Sequence, residues 1–388
     1  MRQRGWFFAD ECRVDDLRRL VEVETRLADF PHASRVESNV VIYDGARLRS
    51  AIAAPESRRA VMAEIAQALS AGPGVIAIRD AYRNTSAVDN ATAVYRTIIE
   101  EQHAAGSRRG DHYAKPGAND RVWNSLEKLA VREPSTFVDY FGNELLALVA
   151  ASWLGPRYQF TTQINVVNPG GEAQSPHRDY HLGFMETHEA EMYPEHIHGL
   201  SPLLTLQGAV AHTDMPLETG PTYYLPHSQK YPMGYVAWKR DEFRNYVNAN
   251  FIQVALKKGD VSFFNPAVFH AAGTNRTHDV RRMANLFQMN SPFGRAIETV
   301  DTKRVCLAVY EALRERVSQG MKIDEWLSVV AASAEGYPFP TNLDRDVPID
   351  RLTPPAQSDI MTTALLELWS SDRFAKELDE YETRHRSA

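Results

Sequence analysis

The sequence predicts an α+β fold in which a mainly β core, a sandwich or barrel, sits between two helical flanks. Three observations predict it. Residues 1–156 are dominated by amphipathic and apolar helical patterns. From about 157 to 295 the chain breaks into short β-rich runs separated by turn residues. Helical patterning then returns over 296–388. With 388 residues, 44% hydrophobic and 24% charged, the chain has ample material for a core. No repeat or low-complexity tract divides it, so the three parts are expected to fold as a single domain, 1–388.

The elements follow in order. Over 58–71, Val61, Ile65 and Leu69 recur at a spacing of four, one apolar face of a helix, and Gly72-Pro73-Gly74 stops it. Residues 75–79 read as a short buried strand and 88–104 as another helix. The polar, glycine-containing stretch 105–120 reads as a loop. Helical patterning resumes over 134–154, with Phe137, Tyr140, Phe141, Leu145, Leu146, Val149 and Trp153 supplying the apolar side and Gly155-Pro156 closing it. Strands are expected at 158–167, 203–212, 222–225, 251–255, 260–264 and 282–289. Between them lie Asn168-Pro169-Gly170-Gly171, Glu218-Thr219-Gly220-Pro221 and Lys257-Lys258-Gly259-Asp260, all good turn chemistry. Helices follow at 304–319, 323–334 and 358–381, with a proline-punctuated connection over 336–355.

Composition narrows the function. A net charge of −7 argues against a broad basic surface for nucleic acid. Two cysteines, Cys12 and Cys306, are too few for a disulfide framework and fit a reducing compartment. The first residues turn acidic before any apolar stretch develops, so no secretory signal is expected, and no apolar run is long enough to span a bilayer. A cytoplasmic protein with neither nucleic acid nor membrane as partner is expected.

The middle of the chain carries chemistry. His177 and Asp179 stand two apart in Ser175-Pro176-His177-Arg178-Asp179, and on an extended chain such residues share a face. His270 offers a third ligand from a distant strand. Two histidines and one carboxylate with open positions form the facial triad of non-haem Fe(II) oxygenases. Eleven residues past His270 stands Arg281. In isolation it reads as a surface arginine in a basic turn with Arg276 and Arg282. At this spacing it reads as a guanidinium clamp for a dicarboxylate.

In this order the residues resemble the phytanoyl-CoA dioxygenase-like branch of Fe(II)/2-oxoglutarate-dependent oxygenases. The resemblance runs from about Gly74 to Phe293 in four pieces. Asn165 to Pro169-Gly170 leads into His177-Arg178-Asp179. His212 to Pro221 resembles a family turn. Tyr224-Leu225-Pro226-His227-Ser228-Gln229-Lys230 resembles its Leu-Pro-Gly-Ser-His segment. Lys258-Gly259-Asp260 through His270, Gly273, Asn275 and Arg281 resembles its last ligand-bearing hairpin. The resemblance implies a double-stranded β-helix (jelly-roll) core with iron at one end, and co-substrate contacts at Asn165, Gln207 and, on the same face, Gln163. Asn275 is expected to hold the loop after His270. One departure is Ala272, where the family often has a hydroxyl near the co-substrate's far carboxylate.

The resemblance thus implies His177, Asp179 and His270 as catalytic metal ligands. Its cofactors are Fe(II), 2-oxoglutarate and O2. The activity implied is oxidation of a small molecule, most simply hydroxylation, with release of succinate and CO2. Other readings are a cupin-like metalloenzyme without 2-oxoglutarate and an inactive jelly-roll binding protein. Tyr180, Phe184, Trp238 and Phe293 are aromatic pocket candidates. The stretch 180–202, with His181, His188, His196 and His198, reads as a solvated loop, the alternatives being a lid or a second metal site. The C-terminal helices offer a homodimer face.

Overall fold

A computed structural model of the chain describes residues 5–106 and 117–387, so most of the loop read over 105–120 lies outside the described residues. The described strands are β1 (Arg35–Glu37), β2 (Val40–Asp44), β3 (Val75–Arg79), β4 (Asn119–Val122) and β5 (Gln159–Val167). They continue with β6 (Thr205–Ala211), β7 (Tyr223–Leu225), β8 (Ile252–Gln253), β9 (Val261–Phe264), β10 (Phe269–Ala271) and β11 (Arg282–Asn290). Eight form one sheet in the order β1-β2-β3-β9-β6-β11-β5-β4, and three form a second, β10-β7-β8. This is the jelly-roll core with helices around it. Four of the eight large-sheet strands come from the first 156 residues, where the sequence predicts only the one at 75–79.

The longest pairing in the large sheet joins β5 and β11, beside its β4 edge, antiparallel without interruption from Gln159↔Asn290 to Val167↔Arg282. Its two faces do different work. On the outer face Ile164, Phe160, Leu206, Val210, Val261, Phe263, Phe287 and Met289 are fully or nearly fully buried in one large cluster with the helices. Each such side chain contributes about 1.5–3 kcal/mol by leaving water, so this face carries the stability. The inner face looks towards the small sheet. There Val40, Val75, Ala77, Ala209, Ala211 and Ala284 form a separate, smaller apolar cluster with Tyr224, Val254 and Phe264. Small side chains on that face leave room for a cavity.

The parallel pair β2 and β3 needs a crossover, supplied by the helices Gly45–Ala51 and Pro55–Ser70. The helix read over 134–154 is two, Pro134–Phe141 and Glu144–Leu154. Asn143 breaks it, its side-chain oxygen accepting from the amides of Leu145 and Leu146 as an N-cap. The helix read over 358–381 is likewise two, Gln357–Leu366 and Ser371–His385, with Ser370 capping the second. The apolar faces of the C-terminal helices, through Val305, Val309, Leu313, Met361, Leu365, Phe374 and Leu378, are buried in the chain's own main cluster.

Inside the outer layer sits one buried polar chain. His212 Nδ1 lies 2.8 Å from Thr92 Oγ1, which itself donates to the Val88 carbonyl, so the ring nitrogen is the donor. Tyr140 donates to Nε2 at 2.8 Å and accepts from Asn285. Burial pulls His212 down to about 3. Its folded pKa thus lies below the unfolded value of about 6.5, and the stability it contributes is complete above that pH. That stability is lost as pH falls from about 6.5 towards 3, at about 1.4 kcal/mol per pH unit. Urea unfolding of His212→Gln between pH 7 and pH 5.5 is expected to show a shallower loss of stability than the parent. An equal slope in both proteins would refute this account of the group.

Candidate active site

The segment 171–177 runs antiparallel to the chain between His270 and Asn275. The Asn275 amide donates to the Gly171 carbonyl, Gln174 N to Ala272 O, and His177 and His270 exchange both backbone hydrogen bonds at 3.0 and 3.1 Å. His177 and Asp179 therefore extend the small sheet beside β10, and the two-residue period puts both side chains beside His270. Asn275 holds the loop, donating to the carbonyls of Val167 and Val280 and accepting from Thr277.

One ligand atom from each of His177, Asp179 and His270 lies within 4.8 Å of the others. Both ring tautomers are set from behind. His177 Nδ1 is 2.8 Å from the Ser175 carbonyl and His270 Nδ1 is 2.9 Å from that of Val268, so each Nδ1 carries the proton. Each Nε2 then turns a lone pair towards the Asp179 carboxylate, at 3.5 and 3.4 Å. Gln207 donates to the same carboxylate at 2.6 Å. Burial alone would raise the Asp179 carboxyl, but in the metal-free chain a proton taken up at Nε2 of His177 or His270, together with the Gln207 amide, outweighs burial and holds the group below the ordinary carboxylate range. Three acceptors facing one another is the arrangement a cation resolves, and two imidazoles with one carboxylate suit ferrous iron. Among the described residues no other group of three such ligands occurs.

The cluster opens into a cavity of about 490 Å3 between the sheets. Its wall alternates as strands must: Arg282, Ala284, Leu286 and Gln288 from β11, Gln163 and Asn165 from β5, Gln207 and Ala209 from β6, Ser262 and Phe264 from β9. Arg281, read as the clamp, is exposed and outside the strand; the arginine that enters the cavity is its neighbour, Arg282. The reason is strand parity, since Arg282 registers with Val167 and shares the inward face with Ala284. Arg282 donates to the Gly220 carbonyl. Gly220 is required there, with φ +68° and no room for a Cβ against the carbonyls of Gly273 and Thr274. Burial and the nearby Arg121 guanidinium pull Arg282 down to about 10. Among the described residues no carboxylate forms an ion pair with it, and its Nε has no partner. A buried guanidinium without a counter-ion suits an anionic ligand.

Residue by residue, Gln163, Asn165 and Gln207 all line the cavity, and each has one buried amide atom without a protein partner. Sequence reasoning missed Arg121 and Trp123, which line it from β4 and just beyond, and Gln288, Tyr224 and Ser262. Of the aromatic candidates, Phe184 lines the mouth, Trp238 stands 6.5 Å from His177 ring to ring, Tyr180 is buried, and Phe293 packs on Tyr337 at the surface. The stretch 180–202 is not an open loop but short helical turns and the helices Thr187–Ala190 and Glu195–Leu200, with His198 buried and held at the Ala190 carbonyl.

Residues 71–283 match the family model of phytanoyl-CoA dioxygenase (PhyH). The chain belongs to the phytanoyl-CoA dioxygenase family. This PhyH protein is accordingly an Fe(II)- and 2-oxoglutarate-dependent oxygenase, using O2. No curated protein matches the chain. Among solved structures it is similar to the non-haem α-ketoglutarate-dependent epimerase SnoN from nogalamycin biosynthesis, at 16% identity and TM-score 0.40, over 60% of this chain and 84% of that one. It is similar also to the carbocyclase SnoK from nogalamycin biosynthesis, at 20% identity and TM-score 0.41, over 58% and 83%. AviO1 from Streptomyces viridochromogenes Tue57 gives 18% identity and TM-score 0.39, over 55% and 87%. No helix among the described residues is long and apolar enough to cross a membrane.

Proposed function

We propose that this PhyH protein hydroxylates an unactivated C–H bond of a small molecule. One O2 and one 2-oxoglutarate are consumed, and the hydroxylated product, succinate and CO2 are released. In this reading His177, Asp179 and His270 hold the iron, and Arg282 grips the far carboxylate of 2-oxoglutarate. The observation that carries it is that buried arginine, without a protein carboxylate, in the same cavity as the two-histidine, one-carboxylate cluster. The bound iron and 2-oxoglutarate supply the oxidising power for the C–H bond.

The chain's own side chains position and exclude. Gln207 fixes the Asp179 carboxylate, and the carbonyls of Ser175 and Val268 fix the two imidazoles. Ala272 provides no hydroxyl, but the hydroxyls of Tyr224 and Ser262, 3.4 Å apart, lie on the Arg282 side of the cavity and take that place. Gln163 and Asn165 contact the co-substrate with their unused amide atoms. The two exposed side chains that line the cavity, Phe184 and Ile297, are apolar, and Trp123 lines it half-buried. A substrate with an apolar face therefore fits better than a fully polar metabolite.

The test is succinate release by the purified chain with Fe(II), 2-oxoglutarate and O2, screened across a small-molecule library and followed by product mass. The expected product is heavier than its substrate by one oxygen. A product of unchanged mass, or one lighter by two hydrogens, would overturn hydroxylation. Absence of succinate across the library together with no binding of 2-oxoglutarate would overturn the site assignment.

A further inference from the structure

Between His177 and Asp179 lies Arg178, whose side chain turns away from the cavity and is 2% exposed. No carboxylate is among the groups that act on its charge. Its Nη2 donates instead to the carbonyls of Ser228 and Tyr231, at 2.5 and 3.0 Å. The guanidinium carbon lies 4.7 Å from the centre of the Phe269 ring and 5.3 Å from that of Tyr235. Each of these neighbours leads back to a proposed ligand. Phe269 precedes His270, and its amide donates to Ser228 Oγ at 2.8 Å. The Tyr235 hydroxyl donates to the Asp179 carbonyl at 3.3 Å. Room for the guanidinium exists because residue 234 is glycine; a Cβ there would run into Cζ and both terminal nitrogens of Arg178.

We propose that Arg178 is a positioning residue for the metal site. It ties the His177–Asp179 segment and the strand bearing His270 to one turn, 228–234, and so holds the ligands from the two strands at the separation one ion requires. It acts through packing and backbone hydrogen bonds, since the groups that act on the Asp179 carboxylate are His177, His270 and Gln207, not Arg178. The inference rests on the reading of the three residues as metal ligands.

Cobalt(II) titration of the metal-free chain, followed by its visible absorption, tests it in the parent, Arg178→Met, Gly234→Ala and the double variant. Replacing a buried, uncompensated cation by an apolar side chain of similar length need not destabilise the fold. The Arg178→Met chain is therefore expected to melt near the parent while binding Co(II) about tenfold or more weakly, the usual cost of losing an outer-shell support. Gly234→Ala, which keeps the arginine but displaces it, is expected to weaken Co(II) comparably. In the double variant the two losses should not add, because the alanine then has nothing to displace. Parent-like Co(II) affinity and absorption in Arg178→Met would overturn the proposal. Should that variant not fold, parent-like affinity in Gly234→Ala would do so. A parent chain that binds no Co(II) sinks the metal-site reading itself, and this inference with it.

Discussion

Arg282→Leu is expected to weaken 2-oxoglutarate binding about a hundredfold or more, while Arg281→Leu leaves it unchanged. Paired hydrogen bonds from a guanidinium to a carboxylate are charge-assisted, each worth about 1.5–3 kcal/mol, and about 1.4 kcal/mol is a factor of ten in affinity. Arg281 is exposed at the edge of β11 and makes no such contact with the cavity. The fold should tolerate the Arg282 change. It removes a buried cation without a counter-ion, leaving only the Gly220 carbonyl short of a donor. Calorimetric titration of 2-oxoglutarate into the anaerobic Fe(II)-loaded protein measures both variants. Loss of binding in Arg281→Leu with retention in Arg282→Leu would reverse the assignment made from strand parity.

That pair of neighbours shows where the sequence stops being informative. His177 and Asp179 are legible because nothing but one residue separates them, so their shared face follows from the extended backbone alone. The guanidinium is separated from His270 by the ten residues between β10 and β11. A loop of that length loses parity, and one residue of slip turns a side chain to the other face. Burial patterning cannot restore it, because β11 is buried on both sides: Met283, Phe287 and Met289 pack under helices while Ala284 lines the cavity. The expected strand Val75–Arg79 was legible from its apolar run. β4 was not: Asn119-Asp120-Arg121-Val122 has little strand propensity and is held by pairing with β5 from Asn119↔Val167 to Val122↔Ile164. That hidden edge strand brings Arg121, and with it Trp123, to the cavity. β2 is different, since Val40-Val41-Ile42-Tyr43 carries a plain apolar strand signal, masked only by its place among the helical patterns of residues 1–156.

The division of labour between the two faces of the large sheet explains why the site is built from amides and arginines at all. Buried polar groups without partners are costly, and this cavity wall has several: Gln163 Nε2, Asn165 Oδ1, Gln207 Oε1, Gln288 Oε1 and Arg282 Nε. They persist because the opposite face of the same strands is tightly packed with aromatic and branched side chains against the helical layer, including Phe160, Phe141 and Phe287 within 5.5–6.2 Å of one another. The strand positions are fixed from outside, which leaves the inner face available for groups that gain partners only when ligands bind.

Asp179→Asn is expected to abolish the stabilisation conferred by Fe(II) or Mn(II) without harming the metal-free fold. In the metal-free chain with both imidazoles neutral, the carboxylate faces two lone pairs, at 3.5 and 3.4 Å, acceptor against acceptor. An asparagine amide can donate to one of these rings while its oxygen still accepts from Gln207, so the metal-free variant should melt at or above the parent temperature. With metal the balance reverses, because Asp179 is the only anion among the three proposed ligands. A unit charge pair at about 4 Å is worth about 4 kcal/mol at an effective dielectric constant of about 20, roughly a thousandfold in binding. A metal at a hundred times its dissociation constant stabilises the parent by about 2.7 kcal/mol, and the variant at the same concentration by almost nothing. Thermal melts with and without metal separate the two terms. A metal-dependent rise in Tm retained by Asp179→Asn would mean that the cation binds elsewhere, whatever the geometry of the two histidines.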